Sequence, residues 1–399
     1  MINLRNNKTI SYILSILILL LSVVAVGENS NRVSKTSATA DFYVTEDMKG
    51  IWLSYITLDM QSTDQTEESF TNKIKSIVET TKESGFNTLI VQVRPFSDAI
   101  YKSKYYPWSH ILTGTQGKAV SYDPLKIICD ISHKHQISVH AWINPYRVKS
   151  ENTPQNLSSN NPYTKDKSIG FTHNGNVYLD PSNKKAQKLI TEGVAEIIKN
   201  YDVDGIQFDD YFYPENSDSA DNDKYNEYKK STDKPLSKEK WRTKNVSNLI
   251  KNVYSCIKKI NENIVFGISP QGNINNNYAL SADVKTWCKT HGYIDYICPQ
   301  IYFSLDNPTL AFEECLNQWI KLKKHSKLKL YIGLAGYKGG TDNDNGTWLD
   351  NNDILKTEIQ ICKEKQTDGI MLYSYESFLN KENLPEIQNV VNHLKGISK

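Results

Sequence analysis

Eight short apolar runs, amphipathic helical patterns between them, and two long insertions predict an α/β chain folded as a single (β/α)8 TIM barrel. Eight strand-then-helix units is the count that closes a parallel barrel. An open doubly wound sheet stops more often at five or six strands. The insertions, residues 148–179 and 214–238, fall as long loops after strands 3 and 4. That is the C-terminal face, where barrels of this kind build their sites.

Taken in order, the chain opens with Arg5 and Lys8 ahead of the apolar run Ile10 to Val26, which Gly27 closes. A positive start, an apolar stretch and small residues after it make residues 1–27 a signal peptide, or an N-terminal membrane anchor if they stay uncleaved. Either way the remainder is expected to be exported, secreted or associated with the cell envelope. Residues 28–46 are polar and aperiodic, as a linker is. The barrel domain is expected over 47–399.

Its strand-like runs lie at 50–56, 86–94, 137–144, 203–209, 264–271, 294–303, 328–337 and 369–375. Helical spacing joins Phe70, Ile74, Ile77 and Val78, then Val246, Leu249, Ile250, Val253 and Ile257, then Phe312, Cys315, Leu316 and Trp319. Asp123-Pro124, Asp180-Pro181 and Asn307-Pro308 each read as a cap followed by proline in a first turn. A last helix is expected over 384–394.

Composition narrows the function classes. The formal charge is +2, and both positive charges in excess leave with Arg5 and Lys8 if the leader is removed. A near-neutral domain lacks the basic footprint of nucleic-acid binding. The six cysteines sit mostly inside apolar patterns, where a thiol packs as a small hydrophobe, so free core thiols are favoured.

Strand alternation then selects side chains. In a barrel one alternating set packs on the helices and the other points inward. With Ile206 and Phe208 facing the helices, Gln207 and Asp209 point inward. With Leu89, Val91 and Val93 outward, Gln92 and Arg94 point inward. The same phasing selects His140 and Asn144, Ser269 and Gln271, and Gln300 and Tyr302. A structural interior is built of Val, Ile and Leu, so polar ends on five strands predict a polar pocket.

Asp209 is the one carboxylate in that phase, and Asp210 follows where the strand ends. Adjacent acids in a partly desolvated mouth push their pKa values apart, the asymmetry glycosidic cleavage uses. Asp98, just after strand two, ranks next as a second acid, ahead of Glu376. Among the 24 tyrosines, Tyr211, Tyr213, Tyr302, Tyr337 and Tyr373 stand at strand ends or in adjoining loops, where an aromatic face can hold a sugar ring.

The segments VQVRPFSDAIYKSKYYPWSHILTGTQG (91–117), HAWINPYR (140–147), VDGIQFDDYFYP (203–214), GISPQG (267–272) and IDYICPQIYF (294–303) together resemble the glycosyl hydrolase-like 10 family of bacterial envelope proteins. The likeness spans roughly residues 48 to 340 and adds Arg147 to the binding set. It implies hydrolysis of cell-envelope polysaccharide, with peptide-stripped peptidoglycan glycan strands as substrate. VDGIQFDDYFYP is also similar to the strand-four motif of chitinase-type barrels, with Tyr211 where their catalytic Glu stands. The Asp-Asp pair is similar to that of some N-acetylhexosaminidases, in which one acid orients the substrate acetamido group and the other protonates the leaving oxygen.

The expectation is therefore a glycosidase with no cofactor and no metal. Asp209 serves as nucleophile or acetamido-orienting base, and Asp210 or Asp98 as general acid. Arg94, His140, Asn144, Arg147, Gln271 and Gln300, with the tyrosines, hold the polysaccharide. The competing expectation is a catalytically silent glycan-binding barrel. Metal-dependent deacetylation is disfavoured, because His133 and His135 fall before strand three, on the wrong face.

Overall fold

The computed structural model describes residues 47–397 other than 210, 211, 218, 324, 325 and 350, so the expected leader and linker lie outside the described residues. Eight parallel strands close a barrel: β1 (Met48–Leu53), β2 (Thr88–Arg94), β3 (Ser138–Ile143), β4 (Gly205–Phe208), β5 (Val265–Ile268), β6 (Tyr296–Ile297), β7 (Lys329–Ala335) and β8 (Gly369–Tyr373). Each strand pairs with its sequence neighbours, and β8 pairs with β1 to complete the ring. The strand after residue 294 is shorter than its apolar run because Pro299 carries no N–H for a ladder; Gln300 continues it only as isolated bridges to Gln271 and Gly333.

The helices between strands are α1 (Glu67–Glu83), α2 (Pro124–Lys134), α3 (Lys184–Asn200), α4 (Lys238–Ile260), α5 (Val284–Lys289), α6 (Phe312–Leu322) and α7 (Ile354–Glu364), with α8 (Leu384–Leu394) closing the chain. Asp123 caps α2 with Pro124 in its first turn, as expected. The other two Asp/Asn-Pro pairs open turns instead. Asp180 accepts the Ser182 N–H and Asn307 accepts those of Thr309 and Leu310, while α3 and α6 begin at Lys184 and Phe312. The loop after β3 holds a three-stranded antiparallel sheet (Arg147–Lys149, Asn176–Leu179, Gly170–His173), and the loop after β4 a short helix, Asn222–Lys230.

Two apolar layers result. Outward residues such as Leu89, Val91, Ala141, Ile206, Phe208 and Ile268 pack on the helices, and a second cluster fills the barrel: Met48, Trp52, Ile90, Trp142, Tyr296, Cys298, Tyr331 and Met371. Large rings fit inside only because glycines face them. A Cβ on Gly205 would lie 2.7 Å from the His140 ring, and one on Gly267 would lie 2.1 Å from the Tyr296 ring. All six cysteines are free, and five of them are buried.

The N-terminal face carries a repeated clip. Asn87, Asp204, Asp295 and Asp368, each just before an even-numbered strand, accept through the side chain the N–H of Lys49, Val139, Phe266 and Leu330 at 2.9, 2.6, 2.7 and 2.8 Å. Each returns its own N–H to the carbonyl of that same residue. A basic side chain at a helix C-terminus pairs with each of the three carboxylates: His133 with Asp204 (2.9 Å), Lys258 with Asp295 (2.8 Å) and Lys323 with Asp368 (2.7 Å).

Candidate active site

At the C-terminal ends of the strands, Trp52, Trp142, Asp209, Ser269, Gln300, Tyr302, Tyr337 and Tyr373 line a cavity of about 250 Å³. Strand alternation delivers them. Trp52 and Trp142 come from the inward phase of β1 and β3, Tyr373 ends β8, and Asp209 follows the last residue of β4. Tyr373 is the hub of the aromatic wall. It stacks with Tyr302 (5.9 Å, 30°) and meets Tyr337, Trp52 and Trp142 edge-on at 6.0, 6.0 and 6.4 Å. Tyr337 is the most open of them, 39% exposed.

Asp209 is buried at the base of this cup, where a charge needs donors. The Trp142 indole N–H reaches its Oδ2 at 3.1 Å, and the Asn144 amide N–H donates to the same oxygen. Behind Asn144, Gln92 Nε2 donates to Asn144 Oδ1 (2.6 Å), and Gln92 Oε1 accepts the Tyr55 N–H (2.8 Å). One layer down, Trp52 Nε1 donates to Gln207 Oε1 (2.6 Å), Gln207 Nε2 donates to the Tyr296 hydroxyl (3.2 Å), and His140 Nδ1 lies 3.0 Å from that hydroxyl. Burial pushes His140 down to about 4, so the ring is neutral, and pushes the Tyr296 hydroxyl up. The floor of the cup is thus polar but uncharged, and the carboxylate stands on it among N–H donors and rings.

The sequence model of the family described as glycosyl hydrolase-like 10 matches residues 47–350. The chain belongs to this family. Membership of the family and its relatives named glycosyl hydrolases make it a glycosidase. Glycosyl hydrolase YngK of Bacillus subtilis (strain 168) is 32% identical over 85% of this chain and 70% of its own length. Glycosyl hydrolase DigH of Escherichia coli (strain K12) is 32% identical over 91% of this chain and 90% of its own. The glycoside hydrolase domain of PgaB (BpsB) from Bordetella bronchiseptica shares the fold, with a TM-score of 0.58 at 11% identity over 88% of this chain and 98% of that one.

Within this glycosyl hydrolase-like 10 barrel, Asp209, Gln300, Tyr302 and Tyr337 line the cavity and Asn144 touches Asp209. Asp210 and Tyr211 lie outside the described residues. Several expected residues sit elsewhere. Arg94 is buried under the helices, its guanidinium 4.3 Å above the Tyr106 ring and against Gly193 of α3. The cause is a register shift between Gln92 and Arg94: Arg94 pairs with Ile143, an outward residue, so the bulge reverses its phase.

His140 stays inward but lies below the cavity, against Tyr296. Arg147 begins the small sheet, donates to the Pro95 carbonyl at 2.8 Å and covers the Phe96 ring at 4.5 Å, bracing two loops. Gln271 follows Pro270 past the end of β5 and turns its amide oxygen to Asn276 (3.1 Å). Tyr213 is buried beneath the Arg242 guanidinium at 4.6 Å.

Asp98 is fully buried, bound by Gln116 (3.0 Å) and paired with His110 (3.2 Å). Ser97 adopts a left-handed conformation (φ 50°) that folds this loop over the carboxylate, away from the cavity. Glu376 is half-buried and accepts the hydroxyls of Ser54, Thr57 and Ser374 at the β8–β1 rim. The residues that sequence reasoning passed over are Trp52 and Trp142. Trp142 shares the inward phase assigned to His140 and Asn144, and Trp52 takes the inward phase of β1. The alternation rule therefore reaches both once it is extended to β1 and aromatic residues are admitted alongside polar ones. Among the described residues no three His, Cys, Asp or Glu side chains converge as metal ligands.

Proposed function

We propose that this enzyme hydrolyses glycosidic bonds of an N-acetylated cell-envelope polysaccharide, peptide-stripped peptidoglycan glycan strands, after export to the envelope or beyond it. The observation that carries the reading is a donor-held carboxylate, Asp209, at the base of an aromatic cup at the strand ends. Aromatic faces pack on the apolar faces of sugar rings. Asp209 acts as the nucleophile or as the base that orients the acetamido group, and Asp210 protonates the leaving oxygen. The Ser269 hydroxyl, buried in the cavity lining without a partner among the described residues, supports the reading as a hydrogen-bonding group for the sugar. The leader-like N-terminus and the envelope-family resemblance support the choice of polymer.

The test is release of reducing ends from purified, peptide-free glycan strands. Asp209→Asn should lower the rate by about 10²-fold or more, since general acid–base groups contribute about 10²–10⁴-fold. A rate within about tenfold of the parent removes Asp209 from the chemistry. Equal or faster turnover of peptide-bearing peptidoglycan overturns the substrate assignment.

A further inference from the structure

We infer that Gln92, which is not part of the cavity lining, is a positioning residue that fixes the direction of the Asn144 amide and so holds Asp209 as the ionised carboxylate. The inference rests on the reading that Asp209 works in its charged form. The two ends of a carboxamide are nearly isosteric, so packing alone does not choose between them; hydrogen-bond polarity must. Here the choice starts from a group with one option. The backbone N–H of Tyr55 only donates, and it meets Gln92 Oε1 at 2.8 Å. Gln92 Nε2 is then turned to Asn144, where it meets Oδ1 at 2.6 Å. The Asn144 N–H is left to face Asp209.

Gln92, Asn144 and Asp209 are all buried, so water does not repair a reversed amide. Tyr55 is itself fixed. It opens a short helix, Tyr55–Leu58, whose cap Ser54 is bound through its hydroxyl to Glu376. A carboxylate facing N–H donors is favoured in its charged form, whereas one facing a carbonyl oxygen is not. Other titratable groups near Asp209 are the Tyr302, Tyr337 and Tyr373 phenols of the lining and, a layer lower, His140 and Tyr296. Burial raises the Tyr337 and Tyr296 hydroxyls and keeps His140 neutral. Asp210 is the neighbouring acid in sequence.

Two variants of the whole protein test this on peptide-free glycan strands, with Asp209→Asn alongside. Gln92→Met removes both polar ends. Its kcat should fall about 10-fold or more with KM within about threefold, because the freed Asn144 amide no longer holds its bond to the Asp209 carboxylate, and a hydrogen bond to a charged group is worth that much. Gln92→Glu keeps the shape and reverses the polarity, because the introduced carboxylate accepts from both Tyr55 and Asn144 and turns the Asn144 oxygen toward Asp209. Its kcat should be lowest near about pH 8 and recover in part toward about pH 5, where a protonated carboxyl donates to Asn144 again. The methionine variant should show no such recovery.

A merely structural glutamine predicts the same loss at every pH in both variants, and that pattern overturns the inference. So does kcat within about twofold of the parent in both variants while Asp209→Asn is inactive. If Asp209→Asn keeps its rate, the reading of Asp209 fails on its own variant, and the relay fails with it.

Discussion

Glu386 should take stability from this barrel as pH rises from the acid range to neutrality. Comparison with a Glu386 variant separates that loss from the opposite contribution of His140, whose buried neutral ring gains stability as pH climbs. Glu386 lies in the first turn of α8, and its two oxygens accept the first N–H groups of α7, from Ile354 at 2.9 Å and Leu355 at 3.1 Å. Burial pushes its carboxyl up to about 7 from the ordinary 4.5, against the opposing pull of those two bonds. Glu358, on the buried face of α7, has no hydrogen-bond partner among the described residues, and burial pushes it well above the usual carboxylate range, with Glu386 adding to the effect.

A carboxyl whose pKa is higher in the folded chain stays protonated there while the unfolded chain ionises. The folded state binds more protons, so its stability is full below the unfolded pKa and declines up to the folded one. For Glu386 that window runs from 4.5 to about 7. At about 1.4 kcal/mol for each pH unit, the loss across it is about 3 kcal/mol. Glu386→Gln removes the titration and leaves one α7 N–H unpaired, at about 1 kcal/mol independent of pH.

The assay is urea unfolding followed by tryptophan fluorescence for parent and variant between about pH 4.5 and 7.5. The variant should be about 1 kcal/mol less stable at the acid end and about 2 kcal/mol more stable at the neutral end. Relief of Glu358 acts in the same direction. A difference that stays flat across the range, or that moves in the parent's favour as pH rises, would refute this account of Glu386.

Two further outcomes follow from the site. Trp142→Phe keeps the ring and deletes the N–H that reaches Asp209 at 3.1 Å. Turnover of glycan strands should drop about 10- to 100-fold, and a change under about twofold would show that this donor does not serve the carboxylate. Arg94→Met tests the bulge. The structure predicts kcat/KM within about threefold of the parent and a stability loss of about 1–2 kcal/mol in urea, from the lost contact with Tyr106. A large fall in turnover at unchanged stability would return Arg94 to the substrate.

The eight strands were legible because burial on both faces writes itself as short apolar runs, and seven of the runs contain strands of four residues or more. The exception shows the limit: Pro299 is as apolar as its neighbours, yet it ends the ladder after Ile297. Alternation found Asp209, Asn144 and Gln300 because the backbone keeps the strand phase one residue past β3 and β4 and, through isolated bridges to Gln271 and Gly333, as far as Gln300 beyond β6. It misplaced Arg94 because a single bulge adds one residue, and one residue reverses every side chain beyond it.

Asp98, Gln271 and Tyr213 lie past the strand ends, where loop hydrogen bonds rather than pleat direction decide which way a side chain turns. Asp98 found its donors in His110 and Gln116, 12 and 18 residues further along its own loop. No periodicity encodes that. Trp52 and Trp142 were within reach of alternation, which selects aromatic side chains as readily as amides.

The clips of the N-terminal face join the strands two by two, first to second through seventh to eighth. They close over sequence separations of only 38, 65, 29 and 38 residues. Loop closure costs little at such lengths, so each pair can form from its own stretch of chain. The seam between the first strand and the last is different, for Met48 must find Gly369 across most of the polypeptide. Trp52 and Tyr373 meet across that same seam, 6.0 Å apart. The aromatic wall of the cavity is therefore complete only once the last strand has closed on the first. A nascent or truncated chain lacking its final strand carries Asp209 without Tyr373, the ring on which the other four aromatic side chains of the wall converge.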